Sequence, residues 1–519
     1  LRVICIRIFF IVHFYKFRCL EGYVMTELKT FQIFVDGKWQ NSKSGEFFES
    51  FYPFTGKAWA RIPRCNESDA DLAVGAALNA LEKPEWSGLN ASQRGHLLRR
   101  LGDIIEKNAE MLGQLEVQDN GKLIAEMGMQ CKYLSQWFYY YGGLADKIEG
   151  SVLPIDKPDT FTYTRHEPLG VCVMITPWNS PLLLLTMKLA PALAAGNTVV
   201  VKPSEFTSAS TLELAKLVKE AGFPDGVFNV VTGYGPEVGE ALVTHPNVAR
   251  VAFTGGPASG ARVYEKAASS LKKVSLELGG KSPNIIFDDC NMENAVKGAI
   301  SGIFAATGQT CIAGSRLLVQ KTIHNEFVDK LVEFARTAKM GDPMSPDTQV
   351  GPVTTLPQFQ KILGYMDVAR EDGAECLLGG GRAIAPECGD GWFVEPTIFA
   401  GVHNKMRIAQ EEVFGPVLSI IPFEDEDEAV EIANDVIYGL ASGIWTGNIR
   451  RAIEIPKRIK SGTVWVNTYR ALSYIAPFGG YKQSGLGREN GQKAIEEYMQ
   501  TKAVWISTAT ETPNPFIMR

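Results

Sequence analysis

The chain has 519 residues, of which 52 are basic and 58 are acidic, so its formal net charge is −6. Apolar residues make up 45% of the sequence and charged residues 21%, which excludes a disordered chain and is typical of a globular protein. At about 150 residues per domain, the length predicts roughly three domains. The mildly acidic balance argues against nucleic-acid binding.

The nine cysteines are widely spaced, and none of them forms a Cys-x-x-Cys pair. This spacing argues against a disulfide framework and against structural zinc. We therefore predict no metal site and a reducing, cytoplasmic compartment, in which a single reactive cysteine can act.

Residues 1–24 are aromatic, apolar and basic, unlike the rest of the chain. Arg7, His13 and Lys16 interrupt the apolar run, and no small-residue cleavage pattern follows it. A membrane span needs about 20 mostly uncharged apolar residues, so we predict no membrane association. We interpret Met25 as the initiating methionine of the natural protein, and residues 1–24 as a non-native or leader extension.

Helices are predicted over Asp69–Ala80 and Gln93–Leu115, where apolar residues recur at helical spacing. The segment Lys147–Glu167 contains Gly, Pro and alternating Thr and Tyr, which predicts a surface hairpin. Lys502–Ser507 is a further predicted strand near the end of the chain.

Between these segments, short β-branched runs alternate with helical stretches. Pro181–Ala195 is a predicted helix, and Ser204 is the predicted N-cap of the next one. Such alternation is typical of an α/β fold with a buried parallel sheet, in which ligands bind at the carboxyl ends of the strands. The predicted strands are Val171–Thr176, Thr198–Lys202, Val227–Thr232, Val248–Thr254, Lys273–Leu278 and Asn284–Phe287.

Three side chains are candidates for chemistry. Cys311 lies among small residues that can form a tight turn and expose its sulfur; the alternative is a small buried hydrophobe. Glu277 ends an apolar strand, where burial would raise its pKa and suit a general base; the alternative is an ion pair with Lys281. Asn179 follows another strand and can donate to an oxyanion, or can cap a turn instead.

Two strand-to-helix turns suit a dinucleotide. Lys202 and Glu205 can meet phosphate or ribose hydroxyls. The turn with Gly255, Gly256 and Gly260 offers free N–H groups to a pyrophosphate. Its Gly-x-x-x-x-Gly spacing is by itself a weak signal.

Together these motifs resemble the aldehyde dehydrogenase superfamily, from about Phe31 to Ser507. The resemblance implies that Cys311 attacks an aldehyde, that Asn179 holds the oxyanion and that Glu277 activates water. The motifs are Pro177-Trp178-Asn179, Lys202-Pro203-Ser204-Glu205, Phe253-Thr254-Gly255, Glu277-Leu278-Gly279-Gly280-Lys281, Gly308-Gln309-Thr310-Cys311, Glu412-Val413-Phe414-Gly415-Pro416, Val466-Asn467 and Pro477-Phe478-Gly479-Gly480.

The resemblance also implies NAD as the cofactor, with NADP weaker because Glu205 would repel a 2′-phosphate. Besides the glycines, its expected binding residues are Trp178, Lys202, Glu205, Glu412 and Phe414.

The implied architecture has a Rossmann-like cofactor domain, an α/β catalytic domain and a small β oligomerisation hairpin. The expected boundaries are 25–145 and 169–279 for the cofactor domain, and 280–482 for the catalytic domain. Segments 146–168 and 496–510 would form the oligomerisation hairpin of a homodimer or homotetramer.

The expected substrate tunnel contains Ser180, Met187, Arg470 and Phe478. The acetaldehyde enzymes of the family have aromatic residues at the first two positions, so a wider tunnel is expected here. Arg470 at its mouth suggests an anionic semialdehyde of a bacterial catabolic type; the alternative is a surface or subunit contact. Two other functions stay open, a coenzyme A-acylating enzyme and an inactive structural family member. The retained Glu277 and Cys311 argue against them.

Overall fold

The computed structural model describes residues 28–512 and 514–517, so the extension predicted over 1–24 lies outside the described residues. In chain order the strands are β1 (Lys29–Thr30), β2 (Ile33–Val35), β3 (Lys38–Gln40), β4 (Phe47–Tyr52), β5 (Lys57–Pro63), β6 (Thr160–Pro168), β7 (Val171–Ile175), β8 (Thr198–Lys202), β9 (Phe228–Val230), β10 (Val248–Thr254), β11 (Lys273–Glu277), β12 (Pro283–Ile286), β13 (Arg316–Gln320), β14 (Glu375–Leu378), β15 (Thr397–Ala400), β16 (Val417–Phe423), β17 (Tyr438–Gly439), β18 (Ala441–Trp445), β19 (Thr463–Val466), β20 (Tyr481–Lys482), β21 (Gly485–Leu486) and β22 (Met499–Ser507).

The helices are α1 (Glu67–Glu82), α2 (Pro84–Ser87), α3 (Ala91–Lys107), α4 (Ala109–Asn120), α5 (Ile124–Tyr133), α6 (Ser135–Leu144), α7 (Pro181–Ala195), α8 (Ala209–Glu220), α9 (Glu240–Thr244), α10 (Pro257–Ala268), α11 (Met292–Phe304), α12 (His324–Ala335), α13 (Leu356–Glu371), α14 (Arg407–Gln410), α15 (Glu426–Asn434) and α16 (Ile449–Arg458). Within the described residues, no helix is both long and apolar enough to cross a bilayer.

The first large sheet has the strand order β21-β11-β10-β7-β8-β9-β2-β3. Its five central strands are parallel, as buried β-branched runs separated by helices predict. From β7 the chain builds outward through β8 and β9, then returns to the other side of β7 with β10 and β11. The order therefore reverses between β7 and β10, and ligands bind at such a reversal in open α/β sheets.

The second large sheet has the order β14-β15-β16-β13-β12-β18-β19 and is parallel except for β14 at its edge. It takes its strands from residues 283–466, whereas the first sheet uses 33–40, 171–277 and 485–486. The two sheets confirm the α/β class, and the domain boundaries predicted from the sequence remain predictions.

The helix α7 has the bounds predicted from the sequence, since Pro181 opens it and Gly196, at φ 96°, closes it. Every residue of α7 is buried, because the helix packs between the first sheet and the helices α3 and α6. Because α7 starts directly after β7, its first turn lies beside the reversal point of the sheet.

Two sequence predictions about helices were wrong. The single helix predicted over Gln93–Leu115 is broken at Asn108, whose side-chain amide donates to the carbonyl oxygen of Ile104 at 2.8 Å. Ser204 does not cap a helix: its hydroxyl accepts from the backbone of Phe206, and α8 starts later. The first N–H of α8, at Ala209, donates to Asp119 instead, at 3.0 Å.

The predicted surface hairpin is only partly formed within its own segment. Leu153 and Thr164 make the local backbone hydrogen bonds. The main partner of β6 is β22, from the other end of the chain, and the two strands pair antiparallel along their whole length. Since the partner is distant in sequence, local patterning could not reveal it.

Candidate active site

Three connected cavities follow the carboxyl ends of the strands. One of about 330 Å³ lies beyond β8 and β10, and an inner one of about 160 Å³ adjoins it at Trp178 and Gly255. A tunnel of about 600 Å³ leads away from the inner cavity. Asn179 and Cys311 line both the inner cavity and the tunnel, so they stand at the junction of the two.

Cys311 follows a strained turn that comes after α11. Ala306, Thr307 and Gly308 are three successive residues with positive φ angles of 53°, 55° and 67°. The turn is fixed by hydrogen bonds from Ala306 N–H to the Glu126 carboxylate at 2.8 Å and from Thr307 Oγ1 to the Gly351 carbonyl oxygen at 3.1 Å. Such strain clusters at functional sites, because the surrounding structure must hold it in place.

The Cys311 side chain is half-buried, and burial raises the pKa of its thiol to about 12. The carboxylates of Glu412 and Glu277 also raise this pKa, and Lys122 lowers it. Cys311 lines two cavities, so it is not enclosed in the core as a small buried hydrophobe would be.

Asn179 is buried, and its side-chain nitrogen donates to the carbonyl oxygen of Gln309 at 2.9 Å. This bond links the loop after β7 to the turn before Cys311 and uses one of the two amide hydrogens. Asn179 does not cap α7, whose N-cap is Ser180 and has no side-chain cap hydrogen bond.

Glu277 ends β11, is 3% exposed and lines the inner cavity. Neither of its carboxylate oxygens has a hydrogen-bond partner among the described residues, and no salt bridge joins it to Lys281. Burial first, then the neighbouring charge of Glu489, raises the pKa of Glu277 well above its ordinary value. A raised pKa makes the ionised carboxylate a stronger base, and its free oxygens can accept a proton from water.

Lys188 and Glu489 form a buried salt bridge near Glu277, which the sequence analysis missed. Lys188 also donates to the Thr254 hydroxyl at 2.6 Å. Its positive charge lowers the pKa of Glu277 and opposes the effect of Glu489. The signal was present, because Lys188 is the one charged residue in the otherwise uncharged sequence of α7.

The cavity beyond β8 and β10 contains the residues predicted to bind a dinucleotide. Lys202 is buried, and its ammonium lies 3.6 Å from the carboxylate of Glu205, which is partly exposed to the cavity. The backbone N–H groups of the first turn of α10 have no side-chain cap, and Gly256 precedes them with open space where a Cβ would be. A ribose and a pyrophosphate fit these donors and acceptors.

Gly260 is a partial exception among the predicted cofactor residues. It does not line the cavity, and a Cβ there would lie 2.4 Å from the Leu278 side chain. Gly260 therefore brings α10 close to β11. The cavity is lined instead by Arg262 and Lys266, which sequence reasoning missed and which pair with Glu240.

Glu412, Trp178 and Phe414 meet at the inner cavity as predicted. Glu412 accepts a hydrogen bond from the backbone of Gly280 at 2.8 Å, and burial raises its pKa. The rings of Trp178 and Phe414 contact edge to face, with centroids 5.2 Å apart.

The tunnel contains all four residues predicted for it: Ser180, Met187, Arg470 and Phe478. Arg470 is half-buried and has a positive φ of 65°. Among the described residues, the one hydrogen-bond partner of its guanidinium is the Ser301 carbonyl oxygen, at a long 3.5 Å. Two charged residues of the tunnel, Lys122 and Glu126, were missed because no motif marks them. Within 28–512 and 514–517, no cluster of His, Cys, Asp and Glu could hold a metal ion.

Comparisons with known proteins agree with this geometry. The model of the aldehyde dehydrogenase family matches residues 39–504. The (Z)-2-((N-methylformamido)methylene)-5-hydroxybutyrolactone dehydrogenase of Acinetobacter baylyi is 47% identical, over 95% of this chain and 100% of that protein. The betaine aldehyde dehydrogenase of Bacillus subtilis is 42% identical, over 93% of this chain and 99% of its own length.

Among solved structures, the betaine aldehyde dehydrogenase of Staphylococcus aureus in complex with NAD+ has a TM-score of 0.92 and 40% sequence identity. The match covers 94% of this chain and 97% of that one. The chain belongs to the aldehyde dehydrogenase family. The predicted family, the aldehyde dehydrogenase-like fold and the enzyme class, an oxidoreductase acting on aldehydes, are confirmed.

Proposed function

We propose that this protein oxidises an aldehyde to its carboxylic acid with NAD, through a thiohemiacetal and then a thioester on Cys311. The observation that carries the proposal is the position of Cys311 where the inner cavity, which contains Glu277, meets the tunnel. NAD+ complexes of similar family members confirm the predicted cofactor.

Cys311 is the nucleophile in this proposal. Its thiolate attacks the carbonyl carbon of an aldehyde that enters through the tunnel. The second amide hydrogen of Asn179 and the backbone N–H of Cys311 then hold the oxyanion. The hydrogen bond from Asn179 to Gln309 supports this role, because it fixes the amide before the substrate arrives.

The cofactor would lie along the first two cavities. Lys202 and Glu205 would hold the adenosine ribose, and Gly255 and Gly256 would lie by the pyrophosphate. The ring and ribose of the nicotinamide would meet Trp178, Glu412 and Phe414. When bound, NAD supplies the hydride acceptor.

Glu277 is the general base that releases the product. Its carboxylate takes a proton from water, and the hydroxide attacks the thioester carbonyl and frees the thiolate of Cys311. Neither oxygen of Glu277 has a partner in the part of the chain that the structure describes, which supports this role, since both can accept from water. A base at this position favours water over a thiol as acyl acceptor, so the coenzyme A-acylating alternative is disfavoured.

The proposal is tested by following reduced nicotinamide on mixing the protein, NAD and aldehyde. Cys311→Ala should abolish the reaction, because no other thiol of the described residues lines the tunnel or the inner cavity. Cys376→Ala, a change at a half-buried cysteine away from these cavities, is the matched control and should retain full activity. Undiminished activity of Cys311→Ala would contradict the proposal.

The substrate proposed is a semialdehyde that bears a carboxylate. Arg470 faces the tunnel, and its guanidinium has no carboxylate partner among the described residues. A guanidinium can bind one carboxylate through two parallel hydrogen bonds. Lys122 and Arg470 both line the tunnel, and their positive charges would repel a trimethylammonium group, so betaine aldehyde is disfavoured. Arg470→Ala should lower kcat/KM for semialdehydes and spare neutral aldehydes of equal length.

The proposal also includes self-association of the chain and a cytoplasmic location. The two-stranded sheet of β6 and β22 exposes Phe161, Trp505 and Ile506, and it would join subunits of a homodimer or homotetramer. The cysteines of residues 28–512 form no disulfide, which suits the reducing cytoplasm.

A further inference from the structure

Lys122 is a buried cation that the proposed reaction does not use. It lies just after α4, is 2% exposed, and lines the same tunnel as Cys311. Its ammonium donates to the Ser180 hydroxyl at 3.0 Å and forms no salt bridge with any described residue. An ammonium has three hydrogens to donate, so most of its hydrogen-bonding capacity is left for the tunnel.

An ammonium removed from water without a carboxylate beside it is destabilising. The nearest carboxylates, Glu126 and Glu116, form no salt bridge with Lys122. One oxygen of each accepts hydrogen bonds elsewhere, Glu126 from the backbone of Ala306 and Glu116 from Leu182 and Ser210, and the other has no partner among the described residues. Burial lowers the pKa of Lys122 to about 8, so it still carries its charge at neutral pH.

The charges that face the tunnel are unbalanced. Lys122 and Arg470 are positive, whereas Glu126 is the one carboxylate among the described tunnel residues. One oxygen of Glu126 is held by the strained turn before Cys311. An anion entering this tunnel would therefore meet a net positive wall close to the nucleophile.

We propose that Lys122 and Ser180 form an anion-binding site at the inner end of the tunnel, which holds a carboxylate of the substrate close to the aldehyde carbon. The inference rests on the proposed role of Cys311 as nucleophile. Arg470 is the outer cation of the same tunnel, and the pair selects short aldehydes that carry an acidic group.

The test compares the alkylation of Cys311 by iodoacetate and by iodoacetamide, without NAD or aldehyde. In both reactions the thiolate attacks the methylene carbon, a carbon–sulfur bond forms, and iodide leaves with the electrons of the carbon–iodine bond. The reagents are nearly equal in size and differ in charge. The ratio of their rate constants cancels any change in the thiolate fraction, so it reports anion recognition alone.

Lys122→Met should lower the ratio of the iodoacetate rate to the iodoacetamide rate by about tenfold, the effect of losing one hydrogen-bonded charge pair. Lys122→Gln should lower it similarly and guards against a folding defect in the first variant. Ser180→Ala should lower it less. Lys297→Met, a change on the exposed face of α11, should leave it unchanged. Peptide mass analysis assigns the label to Cys311.

An unchanged ratio of the two rate constants in folded Lys122→Met and Lys122→Gln would overturn the inference. If both rate constants fell by the same factor, Lys122 would act on the thiol and not on the ligand. Neither result would touch the proposed oxidation, which is measured separately with NAD and aldehyde. If neither reagent labels Cys311, the assignment of the nucleophile fails and the inference with it.

Discussion

At the scale of single residues, Glu277 links the chemistry to the stability of the protein. Because its pKa is raised in the folded state, the native protein keeps a proton that the unfolded chain releases above about pH 4.5. The free energy of unfolding must then fall as pH rises above about 4.5, by up to about 1.4 kcal/mol per pH unit.

Glu277→Gln removes this titration, so its stability relative to the unmodified protein should increase as pH rises above about 5. Urea unfolding of both proteins at several pH values, at one protein concentration, measures the difference. A stability difference that does not change with pH would show that Glu277 ionises normally.

Glu205 should determine the choice of cofactor. Its carboxylate lines the cavity beside Lys202, where it can accept from ribose hydroxyls and would repel a 2′-phosphate. Glu205→Gln should therefore reduce the preference for NAD over NADP in kcat/KM by about tenfold. Glu220→Gln, at the exposed end of α8, should leave the preference unchanged. Equal use of both cofactors by the unmodified protein would contradict this role.

At the scale of elements, the turn after α11 determines where Cys311 lies. A Cβ on Gly308 would be 2.1 Å from the Gly415 carbonyl oxygen, so Gly308→Ala must displace the turn. We expect at least a tenfold loss of kcat, since small misplacements of reacting groups are costly. The melting temperature should fall as well.

Gly373→Ala is the matched control for this turn. Gly373 also has a positive φ, 89°, but a Cβ there meets nothing within 4 Å. This variant isolates backbone strain, of about 1 kcal/mol, and should keep its kcat. If the two variants behaved alike, the contact with Gly415 would not hold the turn.

The elements also show how far the sequence determines the structure. The bounds of α7 and β10 were predicted because proline, glycine and apolar runs mark them locally. The break at Asn108 and the start of α8 at Ala209 were not, since they depend on a side-chain bond and on Asp119, distant in the chain.

Some residues of the candidate site were predicted from the sequence and others were not. Cys311, Glu277 and Asn179 lie in recognisable motifs and meet at the inner cavity. Lys122 and Glu489 have no such motif, because their positions matter only after the helices and the two sheets have packed.

At the scale of the whole molecule, the sheet of β6 and β22 should govern self-association. Trp505 is 59% exposed there. Trp505→Lys should shift the protein to smaller species in sedimentation velocity, because a charge would be buried in the interface. Ile384→Lys, at a side chain that is 89% exposed and lies outside this two-stranded sheet, is the control and should not change the size distribution. Identical sedimentation of both variants would exclude this surface as the interface.

The most direct test of the central claim is a rapid-mixing experiment with Glu277→Gln, NAD and an aldehyde. We expect a burst of about one equivalent of reduced nicotinamide per site, followed by almost no turnover, since acylation proceeds and deacylation lacks its base. Mass analysis should find the acyl group on Cys311. Undiminished steady-state turnover by this variant, or an acyl group on another residue, would contradict the account.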